Sequence, residues 1–185
     1  MGRCALVLLW ILLRPGRTEA LVTAQTTTAT WRQASESRDP ALVTTCLAEN
    51  VQVISPLTAQ FRFTGRDQVH AMLTAAFRVI DSIRFHTELG DDRAKALFYY
   101  GRCRGLDFEE AQLLRFDDQG LIVEVTLFGR PLPGLTAVMA AIGPELLRAG
   151  DRPAMAKAIG AATAPLAAVT RLAEKRLVPL ADPNR

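Results

Sequence analysis

Four long strand-like segments joined by very short turns constrain this chain more than any other feature. The segments cover residues 83–89, 93–103, 106–116 and 121–129. Glycine and aspartate dominate the connections at residues 90–92, 104–105 and 117–120, as tight turns require. Successive strands with such short connections pair antiparallel. We therefore predict a four-stranded antiparallel meander.

Helices and shorter strands alternate upstream of this meander. The pattern predicts helices over residues 28–37 and from Asp39-Pro40 onward, strands over 51–56 and 61–63, and a helix opened by 64–67 and ending near residue 80. Helices and strands in this order are typical of an α+β layer fold. The expected fold is a curved antiparallel sheet wrapped around helices, and its concavity is a candidate pocket.

The N-terminal segment, residues 1–25, stands apart from this pattern. Residues 5–13 are all apolar and follow Arg3, which is the right length for the core of a signal peptide. Arg14 and Arg17 come directly after them, where a signal peptide is usually neutral. Two interpretations stay open: an exported or membrane-associated protein that uses residues 1–24, or a cytoplasmic protein with an N-terminal extension. The second is preferred.

The C-terminal segment, residues 135–185, is rich in alanine and leucine and has the spacing of an amphipathic helix. Pro165 is expected to kink or split this helix. The favoured interpretation is a helix that covers the domain or a subunit interface. The less favoured alternative is association with a membrane surface, because basic amphipathic helices also bind there.

Charge and composition argue against two classes of function. The formal net charge is +3 and is not concentrated in a basic patch, so we expect no nucleic-acid partner. Cys4, Cys46 and Cys103 have neither disulfide-like nor metal-binding spacing, and His70 and His86 are isolated from them. We therefore expect no metal site and buried, reduced thiols.

Strand alternation identifies side chains that could line the pocket. One face of 93–103 carries Phe98 and Tyr100, and one face of 106–116 carries Glu110 and Gln112. One face of 121–129 carries Ile122, Glu124, Thr126 and Phe128. Aromatic walls with a few polar groups suit a small-molecule site. Alternatively, the apolar residues simply pack on helices while Glu110 and Glu124 point to solvent.

Short motifs in a fixed order resemble one known family. They are Trp31, Asp39-Pro40, Leu-Ala-Glu-Asn-Val at 47–51, Ser55-Pro56, Phe-Thr-Gly-Arg at 63–66, Arg-Phe-Asp at 115–117 and Gly-Leu-Ile-Val-Glu-Val at 120–125. This pattern is similar to nuclear transport factor 2-like proteins, and especially to their SnoaL-like group, which includes polyketide cyclases and is related to ketosteroid isomerases. The resemblance implies a SnoaL-like domain over residues 26–134, a cone-shaped α+β barrel with a pocket, and a homodimer. The 125–131 ending resembles bacterial members.

The resemblance also argues against ketosteroid isomerase chemistry. That mechanism needs a carboxylate base, a tyrosine and a neutral carboxylic acid. The resemblance places Ser55, Trp31 and Gln112 at those three positions. Serine is no useful base at neutral pH, and Gln112 donates a hydrogen bond but cannot move a proton. We therefore expect a protein that is not a ketosteroid isomerase.

The sequence favours Glu124 as the catalytic candidate, with Gln112 and Ser55 beside it. A glutamate buried among aromatic residues would have a raised pKa, which suits acid/base catalysis. A structural ion pair of Glu124 with Arg102 or Arg115 is the alternative, and Glu110 is a weaker catalytic candidate. The expected substrate-binding wall consists of Trp31, Phe63, Phe98, Tyr100, Thr126 and Phe128.

Two hypotheses on function follow. The first is a pocket protein that binds a hydrophobic, oxygenated small molecule and acts without a cofactor as an acid/base isomerase, cyclase or hydrolase. The second is a non-catalytic ligand-binding or dimerisation module. A pocket smaller than roughly 300 Å³, or Glu124 on the outer face of the sheet, would count against the first.

Overall fold

A computed structural model describes residues 23–184 of the chain. Helices α1 (Ala24–Ser37) and α2 (Pro40–Thr44) precede strands β1 (Leu47–Ile54) and β2 (Phe63–Thr64). Helix α3 (Arg66–Val79) leads into β3 (Ser82–Gly90), β4 (Ala94–Cys103), β5 (Leu106–Phe116) and β6 (Ile122–Arg130). Helices α4 (Leu132–Ala149) and α5 (Pro153–Arg176) and a 3₁₀ turn (Val178–Ala181) follow. The predictions for residues 1–22 lie outside the described residues.

The strands form one six-stranded sheet in the order β2-β1-β6-β5-β4-β3. Strands β3 to β6 pair antiparallel in sequence order, which confirms the predicted meander. Strand β1 runs parallel to β6 and antiparallel to β2, so the sheet is mixed rather than antiparallel throughout. The short strand β2 and the strand β3 lie at opposite edges, so the sheet is open and not a closed barrel.

Helices α1 and α3 place their apolar sides against the sheet and form the core with it. The largest fully buried side chains come from both layers and include Trp31, Val69, Leu97, Leu114 and Val125. This arrangement confirms the expected α+β layers. It also fixes the position of Trp31, which is 1% exposed, at the centre of the layer interface.

Local contacts hold α1 and α2 where the sequence predicts helices. The side chain of Asp39 accepts hydrogen bonds from the backbone N–H groups of Ala41 and Leu42, and Pro40 occupies the first turn of α2. The hydroxyl of Thr27 donates to the carbonyl of Gly120 at 2.6 Å, which ties α1 to the β5–β6 turn. Gly120 has a φ of 75°, and an added Cβ would lie 2.8 Å from the backbone of Thr23. A side chain there would push α1 away from the sheet.

Two helices follow the sheet. Helix α4 packs against α3 and the sheet, and α5 packs along α4. Pro165 lies inside α5 and does not divide it, so of the two expected effects the split is wrong and the kink stays a prediction. The predicted boundary at residue 134 falls within α4. Among residues 23–184, no helix is both long and apolar enough to cross a membrane.

Candidate functional site

An apolar cavity of about 310 Å³ lies between the concave face of the sheet and helices α1, α3 and α4. Helix α3 contributes Met72, Leu73, Ala76 and Phe77 to the wall. Helix α4 covers the cavity with Leu135, Val138, Met139, Ile142 and Leu146. We call α4 the lid helix. Its cavity-facing residues recur at helical spacing, which is a signal that the sequence contains.

The loop between β1 and β2 borders the mouth of the cavity. Pro56 and Phe61 both line the cavity and are both exposed to solvent. The Phe61 ring packs edge-on against the ring of Phe63, with 5.4 Å between their centroids. An apolar ligand would therefore meet aromatic surface before it reaches the polar groups inside.

A chain of hydrogen bonds crosses the inner wall of this cavity. Trp31 Nε1 donates to Gln112 Oε1 at 2.9 Å, and Gln112 Nε2 donates to Glu110 Oε1 at 3.1 Å. The hydroxyl of Tyr99 donates to the same Glu110 oxygen at 3.0 Å. Glu110 and Gln112 lie on the inner face of β5, and Tyr99 is the partner of Glu110 across the β4–β5 ladder.

Glu110 is an ionisable group in a buried part of the cavity wall. Glu110 is only 8% exposed, and burial raises the pKa of its carboxyl from 4.5 to about 7. The hydrogen bonds from Gln112 and Tyr99 lower the pKa and only partly offset the burial. Burial and the neighbouring Glu110 charge raise the pKa of Tyr99 well above 10, so its hydroxyl stays protonated and donates.

The two oxygens of the Glu110 carboxyl differ. Both hydrogen bonds that the described residues make to this carboxyl reach Oε1. A carboxyl oxygen that accepts two donors holds negative charge well and is a poor place for a proton. In the neutral form the proton is therefore expected on Oε2, to which none of the described hydrogen bonds is made. At neutral pH this group is present in both its acid and its base forms.

Four of the side chains selected from the sequence meet at this cavity. Trp31, Ser55, Phe63 and Gln112 all line it. Gln112 holds both neighbours through its amide, accepting from Trp31 and donating to Glu110. Ser55 accepts a hydrogen bond from the backbone N–H of Leu57 at 3.1 Å, which shapes the loop at the mouth. Their roles in catalysis or binding stay predictions.

Phe98 and Tyr100 lie on the opposite face of the sheet, outside the cavity, so their place on the expected wall was wrong. Tyr100 is 58% exposed, and its ring stacks on His86 with 4.2 Å between centroids. Their neighbours Leu97 and Tyr99 face inward and are buried. Both faces of β4 carry an aromatic residue, so alternation alone could not identify the buried face.

Glu124, Thr126 and Phe128 also lie on the outer face of the sheet. The expectation that they line the cavity is therefore wrong as well. In the β5–β6 ladder, Phe116 lies opposite Ile122 and its neighbour Arg115 lies opposite Glu124. One step along β5 thus corresponds to two steps along β6, which marks an irregularity in the ladder. This shift turns both Ile122 and Val125 inward, and strict alternation from Ile122 therefore predicts the wrong face. Glu124 forms an ion pair with Arg115 at 3.4 Å, as the structural alternative proposed. Its place on the outer face counts against the enzyme hypothesis as far as that hypothesis depends on Glu124.

The described residues contain no group of three or more His, Cys, Asp or Glu side chains placed to hold a metal ion. Cys46 and Cys103 are free, buried thiols, as expected, and Cys4 lies outside the described range. Burial raises the pKa of the Cys46 thiol to about 11, so it is an unreactive neutral group at physiological pH.

The chain is similar to several solved structures of bacterial proteins. A steroid delta-isomerase from Pseudomonas aeruginosa is 27% identical with a TM-score of 0.63, over 68% of this chain and 92% of that one. A protein with a cystatin-like fold from Silicibacter pomeroyi is 26% identical with a TM-score of 0.61, over 63% and 82%. A nuclear transport factor 2-like protein from Cytophaga hutchinsonii is 14% identical with a TM-score of 0.53, over 62% and 96%, and shows likeness of fold alone.

The sequence itself matches one family model and no curated protein. The model describes the SnoaL-like domain and matches residues 28–125, just over half of the 185 residues. This range runs from α1 into β6 and includes Trp31, Glu110 and Gln112. The lid helix and α5 lie beyond it. The chain therefore belongs to the SnoaL-like domain family and has a nuclear transport factor 2-like fold.

Proposed function

We propose that this protein transfers protons on a hydrophobic, oxygen-bearing small molecule, with Glu110 as the acid/base group and without a metal or organic cofactor. The observation that carries the proposal is the Glu110 carboxyl, which is buried at the wall of an apolar cavity with a pKa of about 7. An acid/base group works best when its pKa is near the working pH. The reaction class is isomerisation or cyclisation through proton transfer at carbon.

The cavity supports this chemistry in three ways. Its apolar walls would exclude water from the ligand, which strengthens electrostatic interactions inside. The ionised carboxyl would remove a proton from carbon next to a carbonyl through Oε2 and later return it, so that no proton is lost overall. The hydroxyls of Ser35, Ser55 and Thr58 also line the cavity and are available to bind the ligand oxygen.

The same cavity also supports the proposal that the chain is not a ketosteroid isomerase. Ser55, Trp31 and Gln112 stand in the cavity where that scheme needs a base, a tyrosine and a second acid. Among these, none ionises near neutral pH. Glu110, two positions before Gln112 on the same face of β5, is the residue that would take over proton transfer.

Deuterium exchange of an apolar ketone tests the proposal without knowledge of the natural substrate. The probe is 2-tetralone, whose α-protons exchange with D₂O by proton transfer at carbon, followed by proton NMR. We expect the protein to accelerate exchange, with a rate that rises through about pH 7 as Glu110 ionises. Glu110→Gln should lower the accelerated rate roughly 100-fold or more, because general acid–base groups contribute on that order.

Glu124→Gln is the matched control, because Glu124 pairs with Arg115 on the outer face of the sheet. This variant should exchange the probe like the unmodified protein. Equal rates in both variants would contradict the role of Glu110. Saturable binding of 2-tetralone with no acceleration at any pH would instead favour the non-catalytic binding module.

We also propose that the protein is a homodimer that uses the outer face of the sheet. Tyr100 and Phe128 are 58% and 55% exposed on this face. Large aromatic side chains exposed together on one face are typical of a surface that binds another protein chain. Sedimentation velocity tests this: Tyr100→Glu combined with Phe128→Glu should convert a dimer to a monomer. A monomeric unmodified protein would contradict the proposal. A cytoplasmic location and a bacterial origin stay predictions.

A further inference from the structure

Helix α5 turns its small residues inward and its large apolar residues to solvent. Toward α4 it places residues that are buried or half-buried: Ala156, Gly160, Thr163, Ala167 and Thr170. Toward solvent it places Met155, Leu166, Val169 and Leu172, which are 47% to 61% exposed, whereas Ile159, 39% exposed, lies at the edge of the contact with α4. A helix that only covers its own domain normally shows the opposite arrangement. The solvent side of α5 therefore has the composition of a surface that is covered by something else.

The close contact with α4 fixes which side of α5 is free. The hydroxyls of Thr136 and Thr170 lie 2.7 Å apart. A Cβ on Gly143 would lie 3.5 Å from Ile159 Cγ2, and a Cβ on Gly160 would lie 3.5 Å from Pro144 Cγ. Helix α5 is therefore attached along its length to the lid helix and cannot rotate its large apolar residues inward without breaking this packing.

The exposed apolar residues form one continuous stripe. Residues 155, 159, 162, 166 and 169 are separated by steps of three or four, so they lie above one another on the helix. The 24 residues of α5 span about 36 Å at a rise of about 1.5 Å per residue. Leu177, Val178 and Leu180 continue the apolar surface after the helix and are 55% to 68% exposed.

Charge identifies the partner that fits this stripe. Residues 153–181 carry the basic side chains Lys157, Arg171, Lys175 and Arg176 and one acidic side chain, Glu174. At about 100° per residue, positions 157, 171 and 175 fall roughly opposite the stripe, and position 176 borders it. An apolar stripe on a helix with a basic polar side matches an anionic lipid surface in both its apolar and its charged parts.

We propose that α5 and the turn after it lie on the surface of an anionic membrane, with the apolar stripe buried at the boundary between headgroups and acyl chains. A second copy of α5 fits less well, because it would cover the stripe but offer the four basic side chains no acidic partner except Glu174. An anionic lipid surface complements both the stripe and this charge.

This placement gives the lid helix a definite position. Helix α4 contacts α5 through Thr136 and Pro144 and lines the cavity through Val138 and Ile142. The cavity would therefore lie one helix away from the membrane. The membrane proposal does not depend on the acid/base role of Glu110, and each can fail without the other.

Vesicle flotation of the full-length chain tests the proposal. Vesicles of phosphatidylcholine alone are compared with vesicles that also contain phosphatidylglycerol, at low and high ionic strength. We expect the protein to float with the anionic vesicles, less so with neutral ones, and less at high salt, because screening weakens surface attraction. Val169→Ser with Leu172→Ser, and separately Lys175→Glu with Arg176→Glu, should each lower the bound fraction at least tenfold.

Leu89→Ser is the matched control, because Leu89 is 60% exposed at the end of β3, a strand that makes no extensive contact with α5. It should float like the unmodified protein, and circular dichroism should show that all variants are folded. The proposal is overturned if the unmodified chain stays at the bottom of the gradient, or if the α5 variants float like it. It is also overturned if the α5 variants convert a dimer to a monomer in sedimentation without vesicles, since α5 would then bind a second copy.

Discussion

At the scale of single residues, the behaviour of Glu110 depends on contacts that are distant in the sequence. Its pKa is raised by burial and lowered by Gln112, on the same strand, and by Tyr99, on the neighbouring strand. The hydroxyl of Tyr99 lies across the ladder from the carboxyl, whereas Tyr100 projects from the other face of the sheet. Two adjacent tyrosines therefore provide a direct test of the hydrogen-bond chain.

Tyr99→Phe should shift the pH midpoint of 2-tetralone exchange to higher pH. The substitution removes a donor that stabilises the ionised form of Glu110, so the pKa of the carboxyl rises further. Tyr100→Phe, which removes a hydroxyl from the outer face, should leave the midpoint unchanged. A Tyr99→Phe profile that shifts downward, or that coincides with the Tyr100→Phe profile, would contradict this account of the Glu110 environment.

At the scale of secondary-structure elements, the β4–β5 hairpin depends on a glycine. Gly101 pairs with Phe108, and a Cβ on Gly101 would lie 2.4 Å from the ring of Phe108. Phe108 is buried and packs edge-on against Tyr99, with 5.9 Å between ring centroids. The space above Gly101 is therefore filled by the ring that supports Tyr99.

Gly101→Ala should lower the free energy of unfolding by about 1–3 kcal/mol, because an overfilled core must shift side chains or backbone. Urea denaturation measures the change. Gly143→Ala is the control: the nearest atom to its added Cβ is 3.5 Å away, an ordinary contact. In the middle of α4 it should be neutral or raise stability by roughly 0.5–1 kcal/mol. Equal effects of the two substitutions would contradict the packing argument.

The order of these elements could be predicted from the sequence because turn residues and hydrophobic periodicity are local signals. The meander, α1, α2 and α3 follow from such signals, and so does the inner face of β5, where Phe108, Glu110 and Gln112 alternate correctly. The irregularity between β5 and β6 could not be predicted, because it arises from the pairing of two strands. It reverses the face that alternation predicts for Glu124, and alternation therefore favours Glu124 over Glu110 as the catalytic candidate.

The parallel pairing of β1 with β6 was also beyond local signals. The two strands are separated by most of the domain, and the partner of β1 depends on how the whole sheet curves. The sequence predicts the role of α4 only in part. The periodicity of its apolar residues predicts a helix that covers the domain, but not that this helix closes a cavity. The family resemblance identified the fold and the position of Gln112 and Trp31, but not the residue that carries the unusual pKa.

At the scale of the whole molecule, Glu110 links the cavity to the stability of the fold. Its native pKa of about 7 exceeds the value of 4.5 that applies to an exposed glutamate. Between these values the native state holds a proton that the unfolded state has released. Stability therefore falls as the pH rises from about 4.5 to about 7. Glu88 and Glu145, whose pKa values are lowered by their basic partners, act in the opposite sense at lower pH.

The difference in unfolding free energy between the unmodified protein and Glu110→Gln should isolate this effect. The other groups cancel in the difference, and glutamine keeps the shape of the side chain without its charge. We expect the unmodified protein to lose on the order of 3 kcal/mol relative to the variant between pH 4.5 and pH 8. Denaturation at several pH values measures it. A difference that is flat, or that grows in favour of the unmodified protein with rising pH, would rule it out.

The hydrogen bond from Trp31 to Gln112 gives the protein an optical property. The indole is joined through one amide to the carboxyl that titrates near neutral pH, and it also forms part of the cavity wall. We therefore expect its fluorescence to respond both to ionisation of Glu110 and to an apolar molecule that enters the cavity. Once Trp10 is replaced by phenylalanine, the emission of Trp31 becomes a built-in signal for screening ligands before any reaction is known.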